Sequence, residues 1–217
     1  MNFLAHLYLA DPDEGLLLGA LLGDFVRGRA ALDDYPRPVR EGIELHRRVD
    51  GFTDEDETVA GLRRDFPPDF RRYAGIVIDL AMDHELARRW GEFHPRTLEA
   101  FDGEIRALLA RHDALLPPRL RRFMAYADRR GLFAAYREES EIFRSLAGIG
   151  TRLSRANPLG RARELWPSMA GRFRAGFDAF FPRLQSMVSD WRGRRSSTTG
   201  SWSEALAQGA GAGTPSA

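Results

Sequence analysis

The sequence predicts an all-α fold, a single-domain helical bundle, on three observations. Apolar residues recur at helical spacing in almost every segment. No alternating period-2 run exceeds four or five residues, so no sheet is expected. The 217 residues, 43% hydrophobic and 29% charged, suit one soluble globular domain with a real core.

The elements follow in order. Asn2 is positioned to cap a first helix that runs through Ala10, with Phe3, Leu4, Leu7 and Tyr8 on its packing side. Asp11-Pro12-Asp13 breaks it. A second helix, Glu14 to Val26, is apolar nearly all round, which predicts burial, and Gly28 is placed to end it. Pro36 and Pro38 precede a long helix, Val39 to Phe52, and Thr53 or Asp54 is expected to cap the next, Glu55 to Arg64. Pro67-Pro68 is a break, followed by helices over Arg72–Phe93, Thr97–His112, Pro118–Arg130, Leu132–Ala147 and, after Asn157-Pro158, Leu159–Trp191. Residues 1–192 form the expected domain. From Gly193 the chain turns rich in Gly, Ser and Ala, a tail too poor in apolar groups to pack and expected to be disordered.

Charge and composition bound the function. Cysteine is absent, which excludes disulfides and thiolate metal sites and leaves histidine and carboxylates to hold any ion. That donor set favours manganese, iron or magnesium, with zinc also compatible. Every one of the 32 basic residues is arginine, and Thr151 to Arg195 carries ten of them against Glu164, Asp178 and Asp190, a basic stretch suited to an acidic partner. The N-terminus lacks the basic start of a signal peptide, and the apolar run Gly15–Gly23 is far below the roughly 18–20 residues of a membrane span. A cytoplasmic protein without membrane contact is expected.

The stretch Glu44 to Asp54 carries the chemistry. On a helix, His46, Asp50 and Asp54 follow i, i+4, i+8 and share one face. Asp79 and Asp83 stand one turn apart with His84 adjacent, among Ile76, Val77, Ile78, Leu80, Ala81 and Met82. Two carboxylates in such a setting repel unless a cation sits between them. His6 lies in an apolar segment, where a core histidine bonded to a carbonyl is the plainer reading. Asp24 follows nine residues without a charge, and a buried carboxylate needs a partner or a metal. His94 and His112 read as helix-end residues without a role. Together His6, His46, His84, Asp24, Asp50, Asp79 and Asp83 fall on four helices, and facing helices of a bundle build metal sites in this manner.

Four ordered stretches then become familiar: Met1-Asn2-Phe3-Leu4-Ala5-His6-Leu7, Gly23-Asp24-Phe25-Val26-Arg27-Gly28, His46-Arg47-Arg48-Val49-Asp50 with Thr53-Asp54, and Asp79-Leu80-Ala81-Met82-Asp83-His84. They resemble the bacterial acyl carrier protein phosphodiesterase (acyl carrier protein hydrolase) family, from Met1 to about Pro182. The resemblance implies an HD-like bundle, distantly akin to the HD-domain metal-dependent phosphohydrolases, although this chain reads Asp83-His84 and not the HD doublet. It departs from the family at Tyr8, where other members carry histidine. It implies hydrolysis of the phosphodiester joining 4′-phosphopantetheine to a serine of holo acyl carrier protein, with Mn²⁺ or a similar ion such as Fe²⁺ or Mg²⁺ required.

For that chemistry His6, Asp24, His46, Asp79, Asp83 and His84 form the expected ligand pool. Asp50 orients His46 or acts as base, and Arg47 and Arg27 meet charge on the phosphoryl oxygens. The acidic carrier predicts a basic docking face, drawn from Arg27, Arg29, Arg47, Arg48 and the arginines of the last helix. One alternative is a metal phosphohydrolase acting on a nucleotide or other small phosphodiester. Another, an arginine-rich nucleic-acid-binding protein, leaves Asp24, Asp79 and Asp83 unexplained. A third makes every histidine a core residue and every aspartate a cap.

Overall fold

A computed structural model describes residues 2–131 and 133–196 of the chain. Among these residues there are helices and 3₁₀ turns and no strand, in agreement with the all-α single-domain expectation. The first two helices, α1 (Phe3–Ala10) and α2 (Glu14–Leu22), are short and sheathed by the rest. Gly15 through Leu22 are all buried, as an apolar all-round helix requires. Helix α2 ends at Leu22, so Gly23, Asp24 and Phe25 form a turn beyond it instead of its last helical turn. Gly28, at φ +79°, supplies the left-handed residue of the loop that follows.

Helix α3 (Arg37–Glu55) packs chiefly on α2, and its proline lies in the first helical turn, where a missing N–H costs no bond. The crossing is set by two glycines. A Cβ on Gly19 would lie 2.4 Å from the Gly42 Cα and from the Val39 carbonyl, and one on Gly42 would lie 2.7 Å from the Leu16 carbonyl. Side chains are absent from the contact, so the two backbones touch. The helix outruns its predicted end. Thr53 is inside it, donating to the Val49 carbonyl at 2.7 Å, and Asp56 caps α4 (Glu57–Arg64) instead, accepting from the Thr58 and Val59 amides at 2.8 and 3.3 Å. Asp54 is exposed and paired with Arg63.

Helix α5 (Ala74–Arg88) is buried over most of its length and packs on α1, α9 and α10. The expected Arg72–Phe93 helix is divided into a 3₁₀ turn (Arg71–Tyr73), α5 and the single turn α6 (Trp90–Phe93). Helices α7 (Leu98–Arg111) and α8 (Pro118–Asp128) follow close to expectation. The expected Leu132–Ala147 helix resolves into a 3₁₀ turn, Ala134–Arg137, and α9 (Glu139–Gly150). The last helix likewise opens with a 3₁₀ segment, Leu159–Glu164, before α10 (Trp166–Ser196). Helix α10 lies across α3, α4 and α5 and inserts Phe173, Phe177, Phe180 and Phe181, each about 1% exposed or less. Burying such a side chain contributes roughly 1.5–3 kcal/mol, so this aromatic ridge is a principal clamp. Helix α10 runs to Ser196, four residues into the stretch expected to be disordered; the remainder, 197–217, lies outside the described residues.

The arginines of α10 are largely committed to the bundle. Arg172 pairs with Asp65, Arg183 with Asp56, and Arg195 with Asp13 and Glu41, while Arg192 donates to the Leu9 and Asp11 carbonyls. Within α10 the basic stretch seen in the sequence is thus largely spent on the chain's own acids and carbonyls, which weakens the case for an arginine-rich nucleic-acid face on that helix. Arg152, ahead of it, is exposed. No helix among the described residues is long and apolar enough to cross a membrane.

Candidate metal centre

The Gly19–Gly42 contact decides where the site forms. Four residues further along each chain segment, just past the end of α2 and one turn along α3, Gly23 faces His46, and a Cβ on Gly23 would lie 2.2 Å from the imidazole Cγ. The ring therefore occupies the space a side chain would take. Its Nδ1 lies 2.8 Å from the Ala20 carbonyl, which can only accept, so Nδ1 carries the proton and Nε2 faces the opposite way.

His6, from α1, stacks on this ring with 3.8 Å between centroids and planes 11° apart. Asp50, one turn after His46 on α3, bridges the pair. Its Oδ1 is 3.1 Å from His6 Nε2 and its Oδ2 is 3.2 Å from His46 Nε2. Asp24, in the turn after α2, approaches His46 Nε2 at 3.6 Å. The histidine side chains are 2–3% exposed, whereas Asp50 and Asp24 are 42% and 58% exposed. The cluster is dry on the imidazole side and opens to solvent on the carboxylate side.

Electrostatics follows from this arrangement. Burial, aided by the facing His46, pushes His6 down to about 4 against the pull of Asp50. Burial also opposes charge on His46, but hydrogen bonding to Asp24 and Asp50 prevails and lifts it to about 9. Asp24 is held low, first by its bond to His46, and Asp50 is driven far below the carboxylate range by the two imidazoles despite burial.

His6, His46 and Asp50 can each offer one donor atom within 4.8 Å of the other two. Two imidazole nitrogens and a carboxylate oxygen suit a first-row divalent cation, so the residues present fit the metal that the sequence led us to expect.

The other expected site residues divide. Asp79, half-buried on α5, has its carboxyl pushed up by burial, with the Asp50 charge adding to the rise, so it belongs to the surroundings of the cluster. Asp83 sits elsewhere: its two oxygens accept from the Leu4 amide at 2.8 Å and the Ala5 amide at 3.1 Å. It caps α1 from a distant helix, the task expected of Asn2, whose amide donates instead to the Tyr136 hydroxyl at 3.2 Å. His84 turns to another wall, with Nδ1 2.7 Å from the Tyr136 carbonyl and its ring edge-on to Trp166. Arg47 donates to the Val26 and Gly28 carbonyls and so holds the loop that bears Arg27, which is exposed. His94 stacks on Trp90 and His112 lies beside Glu14, away from the cluster.

Sequence reasoning missed the glycines and the Ala20 carbonyl. The signal was present: Gly15, Gly19 and Gly23 recur every four residues along a stretch otherwise made of leucine and alanine, with Gly42 and His46 at the same spacing on α3.

Comparison with known proteins bears on the whole chain. The model of the family described as acyl carrier protein phosphodiesterase matches residues 1–184. The acyl carrier protein phosphodiesterase of Serratia proteamaculans (strain 568) is 35% identical over 191 residues, covering 88% of this chain and 98% of that protein. That of Salmonella agona (strain SL483) is 36% identical over 193 residues, covering 87% and 98%. No solved structure matches the chain.

Proposed function

The chain belongs to the acyl carrier protein phosphodiesterase family, and from that premise we propose that it hydrolyses the phosphodiester between 4′-phosphopantetheine and the serine of holo acyl carrier protein. Water adds at phosphorus, the bond from phosphorus to the serine oxygen breaks, and a proton from water ends on that oxygen. The products are the apo carrier and free 4′-phosphopantetheine.

The observation that carries this reading is the convergence of His6, His46 and Asp50, from two helices, on one point open to solvent. These three residues would hold a divalent cation, with Mn²⁺ the first choice and Fe²⁺ or Mg²⁺ as substitutes. When bound, the cation supplies an acidified water and a Lewis acid for a phosphoryl oxygen.

The remaining roles fall to this chain's own groups. Asp50, expected to orient His46 or to act as a base, is better employed as the carboxylate donor, because both its oxygens already face the imidazoles. The Ala20 carbonyl fixes the His46 tautomer and leaves Nε2 for the ion. Asp24, 3.6 Å from His46, would add a donor on the carboxylate side, and Asp79, which feels the Asp50 charge, would tune that side electrostatically. Arg27 meets charge on the phosphoryl oxygens, and Arg47 positions the loop that presents it. Asp83 and His84 act through the fold, by capping α1 and by tying α5 to the 3₁₀ turn at Tyr136.

The test is intact-mass spectrometry of holo acyl carrier protein incubated with the chain and Mn²⁺, beside a panel of cyclic and linear nucleotide diesters. Loss of the phosphopantetheine mass from the carrier, with the nucleotides intact, is the expected result. Turnover of nucleotides with the carrier unchanged would refute the reading.

A further inference from the structure

Beside the metal cluster lies a cleft of about 620 Å³, within the usual range for a small-molecule site. Asp24 belongs to both. The cleft is walled by α8 and α9 and floored by the start of α1 and the turn after α2. Its floor is a cluster of three rings: Phe3 and Phe123 are 4.6 Å apart, with Phe25 6.5 Å and 6.4 Å from them. Phe3 is three residues from His6 and Phe25 is adjacent to Asp24, so the floor is tied covalently to the site. Asn2, Tyr136 and Ser145 place polar groups among the rings.

Three exposed arginines, Arg119, Arg122 and Arg152, stand at the same cleft. Arg106, Arg121, Arg130 and Arg144 nearby each pair with a carboxylate. Among the described residues, no ion pair involves Arg119, Arg122 or Arg152. An apolar, amide-compatible channel with an uncompensated cationic rim fits one occupant well: a flexible chain of amides ending in a thiol, joined through a phosphate to an acidic protein.

We propose that this cleft is the seat of the carrier's pantetheine arm, with its thiol end directed away from Asp24 along the α8–α9 wall and the three arginines facing the acidic carrier. The assignment rests on the hydrolase reading above and adds where its substrate lies. It also moves the docking face from Arg29 and Arg48, which line a separate depression along α3, to α8 and the end of α9.

Gly148 gives the cleft a plug. It lines the wall, and a Cβ there would meet nothing within 4 Å, so a large side chain can be added without backbone conflict. Two measurements test the proposal. In the first, wild-type protein is mixed under chelation with carrier whose arm ends in a diazirine, irradiated, and digested. Label is expected in the peptides carrying residues 119–126 and 145–152. In the second, Gly148→Trp is expected to raise KM for holo carrier by about ten-fold or more, the mark of lost substrate binding. Arg119→Glu with Arg122→Glu is expected to do the same and to flatten the salt dependence. Label confined to other helices, or an unchanged KM in Gly148→Trp, would overturn the cleft assignment while wild-type turnover still stood. Wild-type protein that releases no phosphopantetheine with any divalent cation would instead overturn the hydrolase reading beneath it.

Discussion

The imidazoles of His6 and His46 lie face to face at 3.8 Å, bridged by the two oxygens of Asp50. Rings this close do not both become imidazolium, and the carboxylates choose His46: it rises to about 9 while buried His6 falls to about 4. Near neutral pH the cluster without a cation therefore carries one imidazolium, His46, whose second proton sits on Nε2, the nitrogen a cation would need.

Binding of Mn²⁺ should displace that proton. Calorimetry near pH 7 in buffers of different ionisation heat is expected to show about one proton released per ion, and affinity should tighten by about tenfold per pH unit below about 8. No proton release would mean that His46 is not a ligand.

The same shift sets a stability trend. Because the folded value of His46 lies above its unfolded 6.5, its contribution is fully present below about 6.5 and is lost as pH rises through about 9. The full shift corresponds to on the order of 3 kcal/mol. Metal-free protein should melt lower at pH 9.5 than at 6.5, and His46→Gln should shrink that difference.

Two glycines one turn apart should fail differently. Gly19→Ala drives a methyl into the backbone of α3 and is expected to cost at least about 1–3 kcal/mol by overpacking, seen in denaturant melts. Gly23→Ala meets the His46 ring first, a side chain and not backbone, so it should displace the imidazole and abolish metal binding with a smaller loss of stability. Equal metal affinity in Gly23→Ala and wild type would contradict the placement.

The sequence made the helices legible, because 3.6-residue periodicity survives in the buried faces; it marked Asp24 as unusual for its surroundings and placed His6, His46 and Asp50 among the candidates only as a group. It did not distinguish Asp83 from Asp79. One turn apart on the same buried helix, they differ only in what lies opposite, and the start of α1, nearly eighty residues earlier in the chain, gives Asp83 two amides to hold. Nor did it foresee that α10 would spend its arginines on Asp56, Asp65 and Asp13, since such pairs form only once the bundle closes.

Asp83→Ala should thus behave as a lost cap. Two buried amides lose their acceptor, a loss of about 2–4 kcal/mol in melts, while Mn²⁺ still binds at a temperature where the variant is folded. Full stability with metal binding gone would return Asp83 to the ligand set.

The most direct test of the central claim is metal stoichiometry by elemental analysis, coupled to phosphopantetheine release from holo carrier, in wild type, His6→Ala, His46→Ala and Asp50→Asn. The structure predicts bound divalent metal and release by wild type, both abolished by chelation, restored by Mn²⁺ and lost in each folded variant. Release by chelated wild type, or by variants without metal, would contradict it.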